Sequence, residues 1–198
     1  RVISEWHRMD GGPEILLAAN RYNEVGQLVN RKLHSNDAAA NTARQSVDYR
    51  YHIRGWTTAV NNSDLSGRAG EPKDLFGEEW YYETAVPGIS ASPRFDGGAS
   101  STITSNAILS GATSRMGMAF SYDPLSRFTA GNQWLGNTTG TWTQGLLSER
   151  VADYDLNGNI RTLTRKNSSG ITIDNLSYTY ASGTNRLEAV QDNVTSAT

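Results

Sequence analysis

The chain has 198 residues, no cysteine, a formal net charge of −2 and a mean hydropathy of −0.54. These values exclude disulfides and thiolate chemistry, and the lack of a basic block argues against nucleic-acid binding. The longest wholly apolar run, Ile15 to Ala19, is far shorter than the roughly 20 residues that a membrane-spanning helix needs.

A short phrase recurs along the chain: a tyrosine, a polar residue, and a glycine four positions after the tyrosine. In chain order its copies begin at Tyr22, Tyr51, Tyr122, Tyr154 and Tyr180. The glycine position holds Gly26, Gly55 and Gly158 in three copies. Ser126 replaces the glycine in the third copy, and the fifth copy carries one extra residue. A phrase repeated at intervals of tens of residues predicts a repeat architecture.

The phrase has the composition of a tight turn. An Asp or Asn side chain accepts hydrogen bonds from backbone amides further along the turn, and glycine adopts the left-handed conformation at the exit. Pro124 supplies the fixed φ that the second position of a type I turn prefers. Such turns join the strands of hairpins. We therefore predict that the five tyrosines are packing anchors and that the glycines are turn positions.

The residues beside the turns alternate between apolar and polar. This period of two covers three stretches: Val47 to Ile53, Met116 to Tyr122 and Leu176 to Tyr180. It is typical of strands with one apolar face. The sequence predicts an all-β chain of six or seven repeated antiparallel β-hairpins.

The whole chain, 1–198, is expected to form one continuous repeat segment. The clearest repeats cover 15–60 and 115–192, and the stretches 61–73 and 87–114 are predicted to be irregular connections. Degenerate copies of the phrase are suggested at Tyr82 and at Phe95-Asp96-Gly97-Gly98.

One copy also resembles a metal-binding loop. Asp153, Asp155, Asn157 and Gly158 match the first positions of an EF-hand calcium loop, but Thr164 stands where the bidentate glutamate is needed. A hairpin turn explains the same residues without a metal, so no cofactor or metal is predicted and calcium remains the alternative.

No pattern of catalytic residues is recognisable, and the chain is predicted not to be an enzyme. The acidic residues Glu78, Glu79 and Glu83 are interpreted as part of a structural strand, because neighbouring strand residues point to opposite faces. Trp80, Trp134 and Trp142 are candidates for stacking on sugar rings. Packing across strands is the commoner use of such aromatics, so a glycan-binding or adhesive module is the alternative function.

Taken together, the phrases resemble the Rhs/YD-repeat proteins in the style found in Bacteroidetes. The segments that carry the resemblance are Arg21 to Leu28, Ile53 to Thr57, Asp74 to Gly77, and Tyr178 to Tyr180 leading to Asn185 to Leu187. The resemblance implies a twisted ribbon of β-sheet that spirals into a hollow shell. In the C component of ABC toxin complexes, in Rhs effectors and in teneurins, such a shell encloses or scaffolds other segments.

The resemblance further implies a secreted or cell-surface bacterial protein associated with toxins. The chain would be an internal fragment of a larger protein, since no proline- and aspartate-rich junction precedes Thr198. Its partners would be the other repeats and the C-terminal segment of the parent protein. An excised ribbon has open sheet edges, and we expect self-association through them.

Overall fold

The computed structural model describes residues 1–37, 39–107, 115–137 and 140–194. These residues form thirteen strands, and no helix occurs among them. In chain order the strands are β1 Ser4–His7, β2 Ile15–Tyr22, β3 Leu28–Ser35, β4 Gln45–Tyr51, β5 Thr57–Val60, β6 Phe76–Tyr81, β7 Ser101–Asn106, β8 Arg115–Tyr122, β9 Phe128–Gly136, β10 Trp142–Tyr154, β11 Ile160–Lys166, β12 Thr172–Tyr180 and β13 Leu187–Asp192.

The strands belong to one sheet, in which their order follows the chain. Consecutive strands pair antiparallel from β1 to β6 and again from β9 to β13. The predicted all-β fold built from antiparallel hairpins is therefore confirmed. Within the described ranges, no helix is long and apolar enough to cross a membrane.

The register shifts at the same place in four hairpins. The shift comes immediately before Tyr22, Tyr51, Tyr154 and Tyr180. An extra residue on one strand at this point is a β-bulge, which lets a turn with a left-handed exit close an antiparallel pair. The tyrosine thus marks the bulge as well as the turn.

The chain divides into two compact units, although the sequence predicts one continuous segment. The first unit comprises 1–80 and 103–115, and the second comprises 81–102 and 116–198. In the first unit, Leu16 and Ala18 of β2 are almost fully buried. In the second, Val151 of β10 and Leu163 of β11 are buried. Both cores are small and rely on half-buried aromatic side chains.

The stretch 87–114, predicted to be irregular, contains β7. The residues of β7 do not alternate between buried and solvent-exposed positions. Instead, four of its six residues are buried: Ser101, Thr102, Ile103 and Ser105. Small hydroxyl side chains can be buried when they find hydrogen-bond partners. Ser105 Oγ, for example, donates to the carbonyl oxygen of Ser63 within the first unit, at 2.5 Å.

Candidate functional site

The turns of the first four copies have the same backbone hydrogen-bond pattern. In the fourth copy, Asp155 N donates to the Asn159 carbonyl at 2.9 Å and Gly158 N donates to the Asp155 carbonyl at 3.1 Å. Asp155 Oδ1 also accepts from the amides of Asn157 and Asn159. Asn23, His52 and Asp123 begin turns with the same backbone bonds. The phrase therefore forms a turn at each of these four positions.

The glycine position is left-handed in every copy where it is occupied as predicted. The φ angles are +89° at Gly26, +87° at Gly55 and +87° at Gly158. Ser126 takes the same region at +61°, so its turn keeps the geometry and carries the strain of a side chain at positive φ. The fifth copy accommodates its extra residue by pairing Ala181 N with the Arg186 carbonyl at 2.9 Å.

The repeat tyrosines do more than pack. Each one donates its hydroxyl to a backbone carbonyl 20 to 26 residues upstream, at 2.5 to 3.0 Å. The pairs are Tyr22 with Val2, Tyr51 with Leu28, Tyr122 with Ala99, Tyr154 with Phe128, and Tyr180 with Ile160. We call these bonds tyrosine–carbonyl links.

In four of the five tyrosine–carbonyl links the acceptor follows a rule, which does not apply to Val2, the acceptor for Tyr22. Leu28, Phe128 and Ile160 each stand two positions after the glycine position of the preceding turn. Ala99 stands two positions after Gly97, which has a φ of +95°. The degenerate copy suggested at Phe95 to Gly98 therefore supplies the acceptor for Tyr122 just as a full copy would.

Burial extends upward the pH range over which these phenols stay neutral. Desolvation raises the pKa of Tyr51, Tyr122, Tyr154 and Tyr180 above the ordinary value. A neutral phenol remains a hydrogen-bond donor at physiological pH. The four links should therefore persist across the neutral range.

Arginines reinforce two of the links in the second unit. The guanidinium carbon of Arg127 lies 4.5 Å from the ring centroid of Tyr154, and Arg127 Nε contacts Asp123 Oδ2 at 2.7 Å. The guanidinium carbon of Arg94 likewise lies 3.9 Å from the ring centroid of Tyr122, and Arg94 pairs with Asp96. A cation over an aromatic face contributes about 0.5–1 kcal/mol when exposed. In both cases an arginine at one copy of the phrase contacts the tyrosine of the following copy.

Two further turns were not predicted. Asn137 and Asn167 each begin a turn that ends at a left-handed glycine, Gly140 and Gly170. Asn137 Oδ1 accepts from Thr141 N at 2.9 Å, and Asn167 Oδ1 accepts from Ile171 N at 3.0 Å. The signal was present in the sequence as asparagine with glycine three positions later, but no tyrosine precedes either copy.

The carboxylates of the suggested calcium loop are engaged with the protein. Asp155 Oδ2 accepts from the side-chain amide of Asn159 at 2.8 Å, and Asp153 pairs with Arg161 at 3.6 Å. Asn157 Nδ2 donates to Asn185 Oδ1 at 3.1 Å, which joins this turn to the next one. Among the described residues, no group of three or more His, Cys, Asp or Glu side chains is placed to hold a metal. The hairpin turn accounts for the contacts of Asp155, whereas the contacts of Asp153 and Asn157 extend beyond that turn.

Trp134 and Trp142 lie together in the second unit, where glycines make room for them. A Cβ added to Gly136 would lie 2.6 Å from the Trp142 ring, and one added to Gly117 would lie 3.1 Å from it. The same atom at Gly117 would lie 3.3 Å from Trp134 Cβ. Both indoles are half-buried, as is Trp80 in the first unit. Trp134 and Trp142 therefore pack close to glycines of the second unit.

The acidic residues of β6 make structural contacts. Glu79 Oε1 accepts from Arg50 at 3.3 Å and from the amide of Ser63 at 3.2 Å. Burial raises the pKa of Glu78, whose carboxylate lies 3.5 Å from Thr104 Oγ1.

Acid should lower the free energy of unfolding, and Asp155→Asn should make that loss smaller. The Asn159 side chain and several backbone amides donate to Asp155 and hold its pKa below the ordinary value of 3.8. A carboxyl whose pKa is lower in the folded state stabilises that state at pH values above its ordinary pKa. This stability is lost as the pH falls through the folded-state pKa. Urea unfolding between pH 7 and pH 2 should show a smaller acid loss in the variant.

The natural control for this variant is the first turn, where Asn23 Oδ1 accepts from Gln27 N at 2.8 Å. An amide at the equivalent position therefore supports the same turn, and Asp155→Asn should stay folded at pH 7. Asp74 and Glu78 have a raised pKa and act in the opposite direction, but they are the same in both proteins. Identical pH profiles would show that the carboxylate of Asp155 contributes nothing to acid sensitivity.

Comparison with protein-family models finds no match for this chain, and comparison with curated proteins finds no significant match either.

Proposed function

We propose that the chain is a structural segment of a YD-repeat shell in a large secreted or cell-surface protein of the polymorphic-toxin type. In that protein it would help to encapsulate or display other segments. The observation that carries the proposal is the set of tyrosine–carbonyl links. They give the defining tyrosine of the phrase a mechanical role, since four of the five links fasten a hairpin to the turn before it.

The polar groups of the phrase support a structural role. The Asp155 carboxylate is used by its own turn, and the Tyr154 hydroxyl is used by Phe128. Repeat proteins gain stability from such contacts between neighbouring units. Residues that are committed to neighbouring backbone have little capacity left to bind a substrate.

The alternative function, a glycan-binding module that uses Trp80, Trp134 and Trp142, has less support. Stacking on a sugar needs an open aromatic face, and all three indoles are half-buried. Trp142 in addition lies against Gly88, Gly117 and Gly136. We therefore favour the structural function for these residues.

The partners proposed for the segment are the other repeats and the C-terminal segment of the parent protein. The edge strand β13 favours such pairing, because all six of its residues are exposed and its described pairing is with β12. Exposed strand edges readily pair with another chain. Self-association through the sheet edges is the form that this tendency would take in the isolated chain.

A labelling experiment on the parent protein tests encapsulation. The chain contains no cysteine, so Ala189→Cys and Val190→Cys, which pair regularly with β12, each introduce a single thiol into this segment. Adjacent strand residues point to opposite faces of a sheet. In a closed shell a bulky polyethylene glycol maleimide should label one position quickly and the other at least about tenfold more slowly, a free-energy difference of about 1.4 kcal/mol.

The isolated chain is the control, because both positions are exposed there and should react at similar rates. Equal labelling of the two positions in the parent protein would contradict an enclosed face and with it the shell. The readout is a gel shift, which needs no knowledge of what the shell contains.

A further inference from the structure

One position of the repeat turns changes from arginine to asparagine between two neighbouring copies. In the third copy, Arg127 Nε contacts Asp123 Oδ2 at 2.7 Å, and the Arg127 guanidinium carbon lies 4.5 Å from the ring centroid of Tyr154. The arginine thus bridges the carboxylate of its own turn and the tyrosine of the following copy. One copy later, the equivalent carboxylate, bridging position and tyrosine are Asp155, Asn159 and Tyr180.

Asn159 replaces only part of what the arginine does. Its Nδ2 donates to Asp155 Oδ2 at 2.8 Å and to Asn185 Oδ1 at 2.9 Å. Asparagine has a much shorter side chain than arginine and carries no charge. No lysine or arginine among the described residues covers the Tyr180 ring. The guanidinium that is present at Tyr154 is therefore missing at Tyr180.

A cavity of about 440 Å³ lies at this place, entirely within the second unit. Its lining includes Asp155, Tyr180 and the turn at 181–184. Arg161 also lines the cavity, but it pairs with Asp153 at 3.6 Å. Small-molecule sites commonly measure about 300–1,000 Å³, so the cavity has room for an arginine side chain and part of the backbone that carries it.

The electrostatics of the two tyrosines differ in the same sense. Desolvation raises the pKa of Tyr180, and the negative charge of Asp155 raises it further. Desolvation also raises the pKa of Tyr154, but there the charge of Arg127 acts in the opposite direction. A cation between Asp155 and Tyr180 would balance the carboxylate as Arg127 does one copy earlier.

We propose that this cavity binds the guanidinium group of an arginine side chain from a partner protein. The guanidinium stacks on the Tyr180 ring and donates to Asp155 Oδ2. A carboxylate oxygen can accept two hydrogen bonds, so the bond from Asn159 is retained. Arginine is preferred to lysine because the planar guanidinium stacks on aromatic rings and is more weakly hydrated than an ammonium. The site needs only the geometry of the fourth and fifth copies, so it does not depend on whether the chain forms a shell.

A titration followed by nuclear magnetic resonance tests the proposal on the unaltered protein. The probe is a capped tripeptide with arginine between two glycines. Its binding at millimolar concentration should shift the ring signals of Tyr180 and leave those of Tyr154 in place, because Arg127 already covers that ring. The same peptide with citrulline, the neutral isostere of arginine, should bind at least about tenfold more weakly, equivalent to about 1.4 kcal/mol. The lysine peptide should also bind more weakly than the arginine peptide.

Two variants change the site and one serves as a control. Asp155→Asn removes the charge, and Asn159→Arg supplies a guanidinium from the chain itself. Each should weaken binding of the arginine peptide by at least about tenfold, the same free-energy difference. Glu149→Gln changes the net charge by the same amount as Asp155→Asn but lies outside the cavity, so it should bind the peptide like the unaltered protein.

Four results would overturn the proposal. They are no shift of the Tyr180 signals, an equal shift of the Tyr154 signals, equal affinity for the citrulline peptide, and undiminished binding to Asn159→Arg. Free L-arginine distinguishes a protein partner from a small metabolite. Tighter binding of the free amino acid than of the capped peptide would assign the site to the metabolite and would contradict a protein partner.

Discussion

Replacing Tyr154 with alanine is expected to lower the free energy of unfolding by about 3 kcal/mol, near the lower end of the range for truncating a large aromatic. The change removes the tyrosine–carbonyl link to Phe128 and the ring that Arg127 covers at 4.5 Å. It also leaves the Phe128 carbonyl without its phenol donor. Urea unfolding of the variant at neutral pH measures the loss.

Two conservative variants separate the hydroxyl from the ring. Tyr154→Phe keeps the ring and should cost about 1 kcal/mol, the usual net value of one hydrogen bond. Tyr178 lies in the same unit, and its hydroxyl makes no hydrogen bond with the described residues, so Tyr178→Phe should stay within about 0.5 kcal/mol of the unaltered protein. Equal effects of the two phenylalanine variants would contradict the role assigned to the link.

Replacing Gly77 with alanine is expected to be at least as damaging, with a loss of about 3 kcal/mol or more. The added Cβ would overlap the Asn62 carbonyl oxygen and lie 2.6 Å from the Asn62 carbonyl carbon. Both atoms belong to the backbone, so neither can move without displacing the chain around buried Ser63. Thermal unfolding followed by circular dichroism measures the effect.

Gly70→Ala is the matched control in the same unit. Gly70 has a φ of +83° and no atom within 4 Å of an added Cβ. Alanine there suffers only the left-handed backbone conformation, at about 1–2 kcal/mol. If the two alanine variants unfolded at the same temperature, close backbone approach at Gly77 would not be the cause.

The turns were predictable from sequence because their chemistry is local. The aspartate or asparagine that opens a turn and the glycine that closes it lie within five residues, and their conformations follow from the residues themselves. The same rule would have found the turns at Asn137 and Asn167 if a preceding tyrosine had not been required. The strands that alternate beside Tyr51, Tyr122 and Tyr180 were predictable for a similar reason.

The tyrosine–carbonyl links and β7 were not predictable in the same way. A link joins Tyr154 to a carbonyl 26 residues away, and its acceptor depends on the register between hairpins. Every residue has a backbone carbonyl, so the sequence does not show which residue accepts the hydrogen bond. In β7 the buried residues include Ser101 and Thr102, whose residue types are typical of loops.

The reach of the tyrosine–carbonyl links has a consequence for the order of folding. Every link points backward along the chain and spans only 20 to 26 residues. A hairpin that has just left the ribosome can therefore attach to the hairpin before it without waiting for later residues. Contacts of short sequence separation favour fast folding, and repeat chains can propagate structure from one unit to the next. We therefore expect folding during synthesis to proceed from the N-terminal end, with each tyrosine attaching one more hairpin to the part that is already folded.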